Sequence, residues 1–186
     1  MKQTNILRFW FLPLIVLFLF SCDTWKPDLQ HAHSKAQMLM TDPFLWSSND
    51  ETAPFGNDDG SDAIFDYYKW RLKHSERSNI EFIKLKLVEW NYKVYDYYTI
   101  DTNAIRTFIK SNKIGDRIYL GIDDLIISIG FGQFIIEGKI DPDLKSLTLI
   151  ALQRQLLSIS LELFDLNYRA KRIKELNRMN EIINAA

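Results

Sequence analysis

Cysteine is nearly absent from this chain. Among 186 residues there is one, Cys22, so no disulfide can form within the chain and burial must supply its stability. Glycine and proline are scarce, at 7 and 5, which excludes collagen-like and low-complexity classes, and 47% hydrophobic residues are enough for a packed core. Histidine occurs only as His31, His33 and His74. Neither a G-x-S-x-G nucleophile elbow nor an H-E-x-x-H zinc motif is present. Basic residues are missing from Ala36 to Tyr68, where seven acids stand: Asp42, Asp50, Glu51, Asp58, Asp59, Asp62 and Asp66. Near the end the balance reverses, with Arg169, Lys171, Arg172, Lys174 and Arg178 against Glu175. Two readings fit: solvated faces that attract each other within the fold, or a bipolar surface that steers a charged partner. The formal net charge of −1 gives no reason to expect nucleic acid, and the length suits one domain.

What is present begins with Lys2 and Arg8 ahead of an oily run, Phe9 to Phe20, followed by Asp23, Thr24 and Lys26. Such a run spans about 18 Å as a helix, against about 30 Å for a bilayer core. A basic start, a short apolar stretch and a small residue at its end read as a secretory signal peptide, residues 1–21. Leu19-Phe20-Ser21-Cys22 resembles the lipobox of bacterial lipoproteins. That resemblance implies cleavage before Cys22, lipid on its sulfur and amine, and a location on a membrane of the cell envelope, inner or outer. An uncleaved anchor and plain secretion are the alternatives. Two or more acyl chains anchor a protein stably where one does not, and a lipidated sulfur is no nucleophile or metal ligand. Loss of Lys2 and Arg8 with the leader takes the net charge from −1 to −3.

Residues 22–35 read as a polar tether, and 36–186 as one globular domain. His31 and His33 form a His-x-His pair without the further ligands of a structural metal site. Asn57 to Gly60 is turn chemistry, with Asp59 or Ser61 capping a helix over 61–74. Ser78 to Glu81 is a capping box for a helix over 79–91, and Asp101 or Thr102 caps another over 103–111. Arg117–Leu120 and Leu125–Ile129 flank Gly121-Ile122-Asp123-Asp124, which predicts a β-hairpin. Asp141-Pro142 starts the longest predicted helix, to about Phe164, with Lys145, Thr148, Gln155, Ser158 and Glu162 on a polar stripe and Leu144, Leu147, Ala151, Leu152, Leu156, Ile159 and Leu163 in the core. A last helix covers 166–183. The expected fold is α+β and mainly helical, a small hairpin packed on a long central helix.

Residues 42–63 and 128–157 look more specified than packing requires. Pro54-Phe55-Gly56-Asn57-Asp58-Asp59-Gly60 and Gly130-Phe131-Gly132-Gln133-Phe134 resemble stretches of the YfeS-like bacterial family, linked by name to a molybdate-metabolism regulator (MolR-like). The resemblance covers about half of the mature chain and implies a shared fold, with no catalytic residue to carry over. The acidic loop is not an EF-hand: with Gly60 at loop position 6, Phe55 falls at position 1. Gly130-x-Gly132 lacks the third glycine of a dinucleotide fingerprint, Ile135 standing there. Asp123/Asp124 and Asp141/Asp143 are the carboxylate pairs available for acid–base work. These readings call for no cofactor, no metal and no catalytic residue. They favour a lipid-anchored envelope protein that binds a protein partner, one version being an immunity or inhibitor module. The candidate contacts are Asp58, Asp59 and Asp62 of the acidic loop and Tyr95, Tyr97 and Tyr98 of the aromatic-rich segment. The alternative is a carboxylate- or metal-dependent hydrolase.

Overall fold

Four polar side chains set where the first four helices begin, each accepting a backbone N–H that the helix leaves free. His33 Nδ1 takes the Lys35 N–H at 3.2 Å, Asn57 Oδ1 that of Gly60 at 2.7 Å, Ser78 Oγ that of Ile80 at 3.2 Å and Asp101 Oδ1 that of Asn103 at 2.8 Å. In a computed structural model, which describes residues 25–186, the helices they open are α1 (Ser34–Leu39), α2 (Asp58–Lys73), α3 (Asn79–Glu89) and α4 (Thr102–Ser111). The capping box at Ser78 is half formed, since the Glu81 carboxylate pairs with Arg77. The chain continues through α5 (Gly115–Glu137), α6 (Pro142–Gln155), the single turn α7 (Ser158–Leu161) and α8 (Leu166–Ala185), with a 3₁₀ turn at Pro43–Trp46. The leader and Cys22 lie outside the described residues.

The expected hairpin is not there. Residues 117–129 lie inside α5, and no strand occurs among the described residues, so the architecture is all-helical and not α+β. The two apolar runs join into one helix whose residues Ile118, Tyr119, Ile122, Leu125, Ile126 and Ile129 are buried at helical spacing. The supposed turn residues serve packing. A Cβ on Gly121 would stand 2.6 Å from Asp59 Oδ2, one on Gly130 would stand 2.3 Å from Thr148 Oγ1 in α6, and one on Gly132 would stand 2.5 Å from Ile64 in α2. The glycine that does need its conformational freedom is Gly138, at φ 67°, which ends α5 against the His33 ring.

α5, not the helix after Asp141, is the central element. It packs against α2, α6, α4, α3 and α1, and α8 closes the other side of α6. It is long and apolar enough to cross a membrane, yet 89% of its most apolar stretch is buried within the protein, as a core helix is. The helix from Pro142 stops at Gln155. Leu144, Leu147, Ala151, Leu152 and Ile159 are buried as expected, whereas Leu156 is half-buried and Leu163 exposed. Its predicted polar stripe is a solvent face only in part: Ser158 and Glu162 are exposed and Lys145 half-buried, but Thr148 and Gln155 are buried, as is Arg154 off the stripe.

The segment read as a tether lies against the domain from Trp25 onward. The Trp25 ring stacks on Tyr68 at 4.1 Å, Ala32 is buried, and the His33 N–H donates to the Ile135 carbonyl at 2.8 Å. Residues 42–63 and 128–157 also meet, because Ser128 of α5 donates to the Gly60 carbonyl at 2.7 Å in the first turn of α2.

Candidate functional site

Opposite charges separated in sequence come together in space. The segment before α2 lies along α8: Asp50 pairs with Lys171 at 2.6 Å, Asp42 with Arg178 at 2.7 Å, and Tyr168 meets Thr52 Oγ1 at 2.7 Å. Burial pushes the Asp50 carboxyl up, but the bonds from Lys171, the Thr52 N–H and Tyr168 outweigh it and hold the group below the usual carboxylate range. The acidic stretch and the basic helix therefore hold each other in place, and a cleft remains where they meet the amino-terminal half of α5.

The cleft has two adjoining parts that share Glu51 and Phe164 as walls. The outer one, of about 680 Å³, runs from Ser47 to Glu51 on one side and from Leu163 to Lys171 on the other. The inner one, of about 230 Å³, is bounded by Asp58 and Asp59 from α2, Arg117 and Asp124 from α5, and Arg172 from α8. Asp58 and Asp59 sit in the first turn of α2, where the helix dipole favours a negative charge. Asp59 is buried, accepts from the Tyr92 hydroxyl at 2.8 Å and forms an ion pair with Arg117, for which the missing side chain of Gly121 leaves room. Arg172 lies with its guanidinium 3.9 Å from the Phe164 ring centre and donates to Gln155 Oε1; its Nε has no partner among the described residues. Asp124 makes no side-chain hydrogen bond among the described residues. Burial pushes its carboxyl up to about 8, Arg172 pulls against that shift, and Asp123 and Asp59 add to it. The group therefore binds its proton more tightly folded than unfolded. The stability it lends is full below its ordinary value near 3.8 and is lost as the pH rises through about 8. Denaturant titrations should show Asp124→Asn losing less stability than the wild type between pH 5 and pH 9.

A second polar cluster lies deeper and is closed. Arg154 and Asp123, both at 0% exposure, form an ion pair in which the guanidinium Nε donates to Asp123 Oδ1 at 2.9 Å. Arg154 also donates to the carbonyls of Tyr97 and Thr99, and the Tyr119 hydroxyl meets Ser160 Oγ at 2.7 Å beside it. Asp123 Oδ2 is buried without a partner among the described residues, and burial raises the Asp123 carboxyl against the pull of Arg154. This cluster ties the loop before α4 to α5 and α6.

The sequence-selected contacts are divided between these places. Asp58 and Asp59 line the inner cleft, Asp58 exposed and Asp59 buried, while Asp62 is exposed one turn further along α2. Tyr97 is buried, with its carbonyl on Arg154. The Tyr95 ring lies against Phe108 at 4.8 Å and under the Arg154 guanidinium, and its hydroxyl is buried. Of the three tyrosines, Tyr98 alone is exposed, at 51%. The histidines of the His-x-His pair go separate ways, His31 to Asp28 at 2.8 Å and His33 to the Lys35 N–H. Among the described residues no group of three His, Cys, Asp or Glu side chains stands close enough to hold a metal. Sequence reasoning missed Arg117 and Arg154, and it placed Arg172 only within the basic run. The signal for Arg154 was an arginine inside an otherwise oily helix, which demands a buried partner. No family model, no curated protein and no solved structure matches the chain.

Proposed function

We propose that this protein is a lipid-anchored bacterial envelope protein that works by binding, with the charged cleft as its contact surface. Support for the anchor is the leader and the Leu19-Phe20-Ser21-Cys22 sequence. The observation that carries the binding reading is the unspent polar capacity at the cleft. Asp124 lines the cleft half-buried and without a side-chain hydrogen bond among the described residues, and the buried Nε of Arg172 beside it lacks a partner among them. Native proteins satisfy nearly all buried polar groups, so an exception that borders an opening fits a surface completed by something else. Even with Asp124 neutral, Glu51, Asp58 and Asp59 outnumber Arg117 and Arg172 there, and Arg117 is already engaged by Asp59. The fitting partner is a protein that presents a lysine or arginine, as an immunity or inhibitor module would meet. A photoreactive amino acid placed at Glu51 or Asp58 of the full chain in the producing cell should give a discrete adduct. The same probe at Lys110 on α4 should give none. Adducts at all three positions, or at none, would contradict the reading.

One observation favours a carboxylate-dependent hydrolase instead. The Asp124 carboxyl, pushed up to about 8, lies beside Asp59, an arrangement that suits one carboxyl to donate a proton at neutral pH. That reading requires hydrolysis of an ester or glycoside that Asp124→Asn abolishes; the binding reading requires none.

A further inference from the structure

α2 and α3 turn an amphipathic face outward. Trp70, Phe82, Leu85 and Val88 line a shallow groove of about 630 Å³ between them. Leu72, Leu85 and Val88 are 67%, 51% and 79% exposed, far more than side chains of a packed helix pair require. Lys69 and Lys73 stand on the outward ridge of α2 and Lys84 beside Leu85 on α3. None of the three forms an ion pair among the described residues. Lysine stems beside exposed leucine and valine are the pattern of a helix surface resting at a bilayer interface, the stems along the acyl boundary and the ammonium groups among the lipid phosphates. Helix-pair faces of this kind also fit a second protein, and the position of the anchor decides between them. The described chain begins at Trp25, whose ring is stacked on Tyr68 of α2, next to Lys69 and one turn from Leu72. Cys22 lies three positions before Trp25, a reach of about 10 Å at about 3.3–3.6 Å per residue. A lipid on Cys22 therefore holds the Tyr68–Leu72 flank of α2, which borders this face, close to the membrane.

We propose that the α2–α3 face docks onto the lipid surface to which Cys22 tethers the protein, with Leu72, Leu85 and Val88 entering the interface and Lys69, Lys73 and Lys84 meeting anionic headgroups. The inference rests on the anchor proposed above. Docking would fix the orientation of the domain, which a lipid on a loose linker would not.

The lipidated sulfur leaves the chain without a free thiol, so one introduced cysteine can carry an environment-sensitive probe. Full-length protein purified with its lipid, bearing the probe at Leu85→Cys, Val88→Cys or, on α8, Asn177→Cys, is reconstituted into vesicles of phosphatidylethanolamine and phosphatidylglycerol. Spin-labelled acyl chains should quench the probes at 85 and 88 several-fold more than the probe at 177. Quenching should weaken when phosphatidylglycerol is omitted or when Lys69, Lys73 and Lys84 are changed to glutamate. Equal quenching at all three positions in protein that still floats with the vesicles would overturn the docking and leave the anchor intact. Blue-shifted but unquenched probes at 85 and 88 would assign the face to a protein partner or a second copy and also overturn it. Failure to float, with Cys22 found unmodified, would remove the anchor and the docking together.

Discussion

Replacing Arg154 by methionine lowers the stability of the protein by about 3–5 kcal/mol, the cost of leaving a buried carboxylate without its counter-ion. Asp123 has 0% exposure, and its one bonded oxygen is served by Arg154 alone among the described residues. The same substitution strips donors from the Tyr97 and Thr99 carbonyls, so the loop ahead of α4 loosens with it. At about 2–4 °C per kcal/mol for a chain of this size, the melting midpoint should fall by about 10 °C. The partner variant separates charge from clamp. Asp123→Leu combined with Arg154→Met removes the orphaned carboxylate and should recover most of the loss, and the remainder measures the two carbonyl contacts. A single Arg154→Met variant that melts within a degree or two of the wild type would show that the pair is not buried as described.

The second large effect is expected at Ile122, and it separates a helix from a hairpin. In a turn Gly121-Ile122-Asp123-Asp124, residue 122 would occupy the second position, where proline is favoured. Inside α5 the same proline removes a helical hydrogen bond and clashes with the preceding turn, costing about 3 kcal/mol or more. Ile122 is also wholly buried, so loss of its side chain adds to that cost. Ile122→Pro should therefore leave little or no folded protein, while Ile122→Leu stays within about 1.5 kcal/mol of the wild type. Circular dichroism and denaturant titration read both. A well-folded Ile122→Pro protein would restore the hairpin.

The helix starts were legible where their cause was local. Ser78, Asp101 and Pro142 act within a few residues, and α3, α4 and α6 begin where those residues say. Asn57 opens α2 three residues earlier than expected, because it, and not Asp59 or Ser61, supplies the cap. α5 was not legible because its punctuation has tertiary causes. Gly121 is there to admit Asp59 and Arg117, and Asp123 is there to meet Arg154, some thirty residues on. Read along the chain, those same residues are turn formers, and a continuous buried helix breaks into two strand-like pieces. The site divides in the same way. The acid run pointed to Asp58 and Asp59, whereas Arg117, Asp124 and Arg172 join them only once α5 and α8 are in place. The tyrosines were chosen by type, and type does not tell a ring on the surface from one that walls a buried arginine, as Tyr95 does.

Two of these features bear on how the cleft would work. The ion pairs from Asp42 and Asp50 to α8 fix its outer rim, so a partner meets a preformed surface and little ordering opposes binding. The docked α2–α3 face would set the direction in which that surface points. That direction depends on the proposed attachment of the protein to a membrane through Cys22.

Intact mass measurement of the protein purified from the membranes of its own cells tests that dependence most directly. The account predicts a chain that starts at Cys22 and carries the added mass of its acyl groups. A chain still bearing residues 1–21, with position 22 a free thiol, would contradict it.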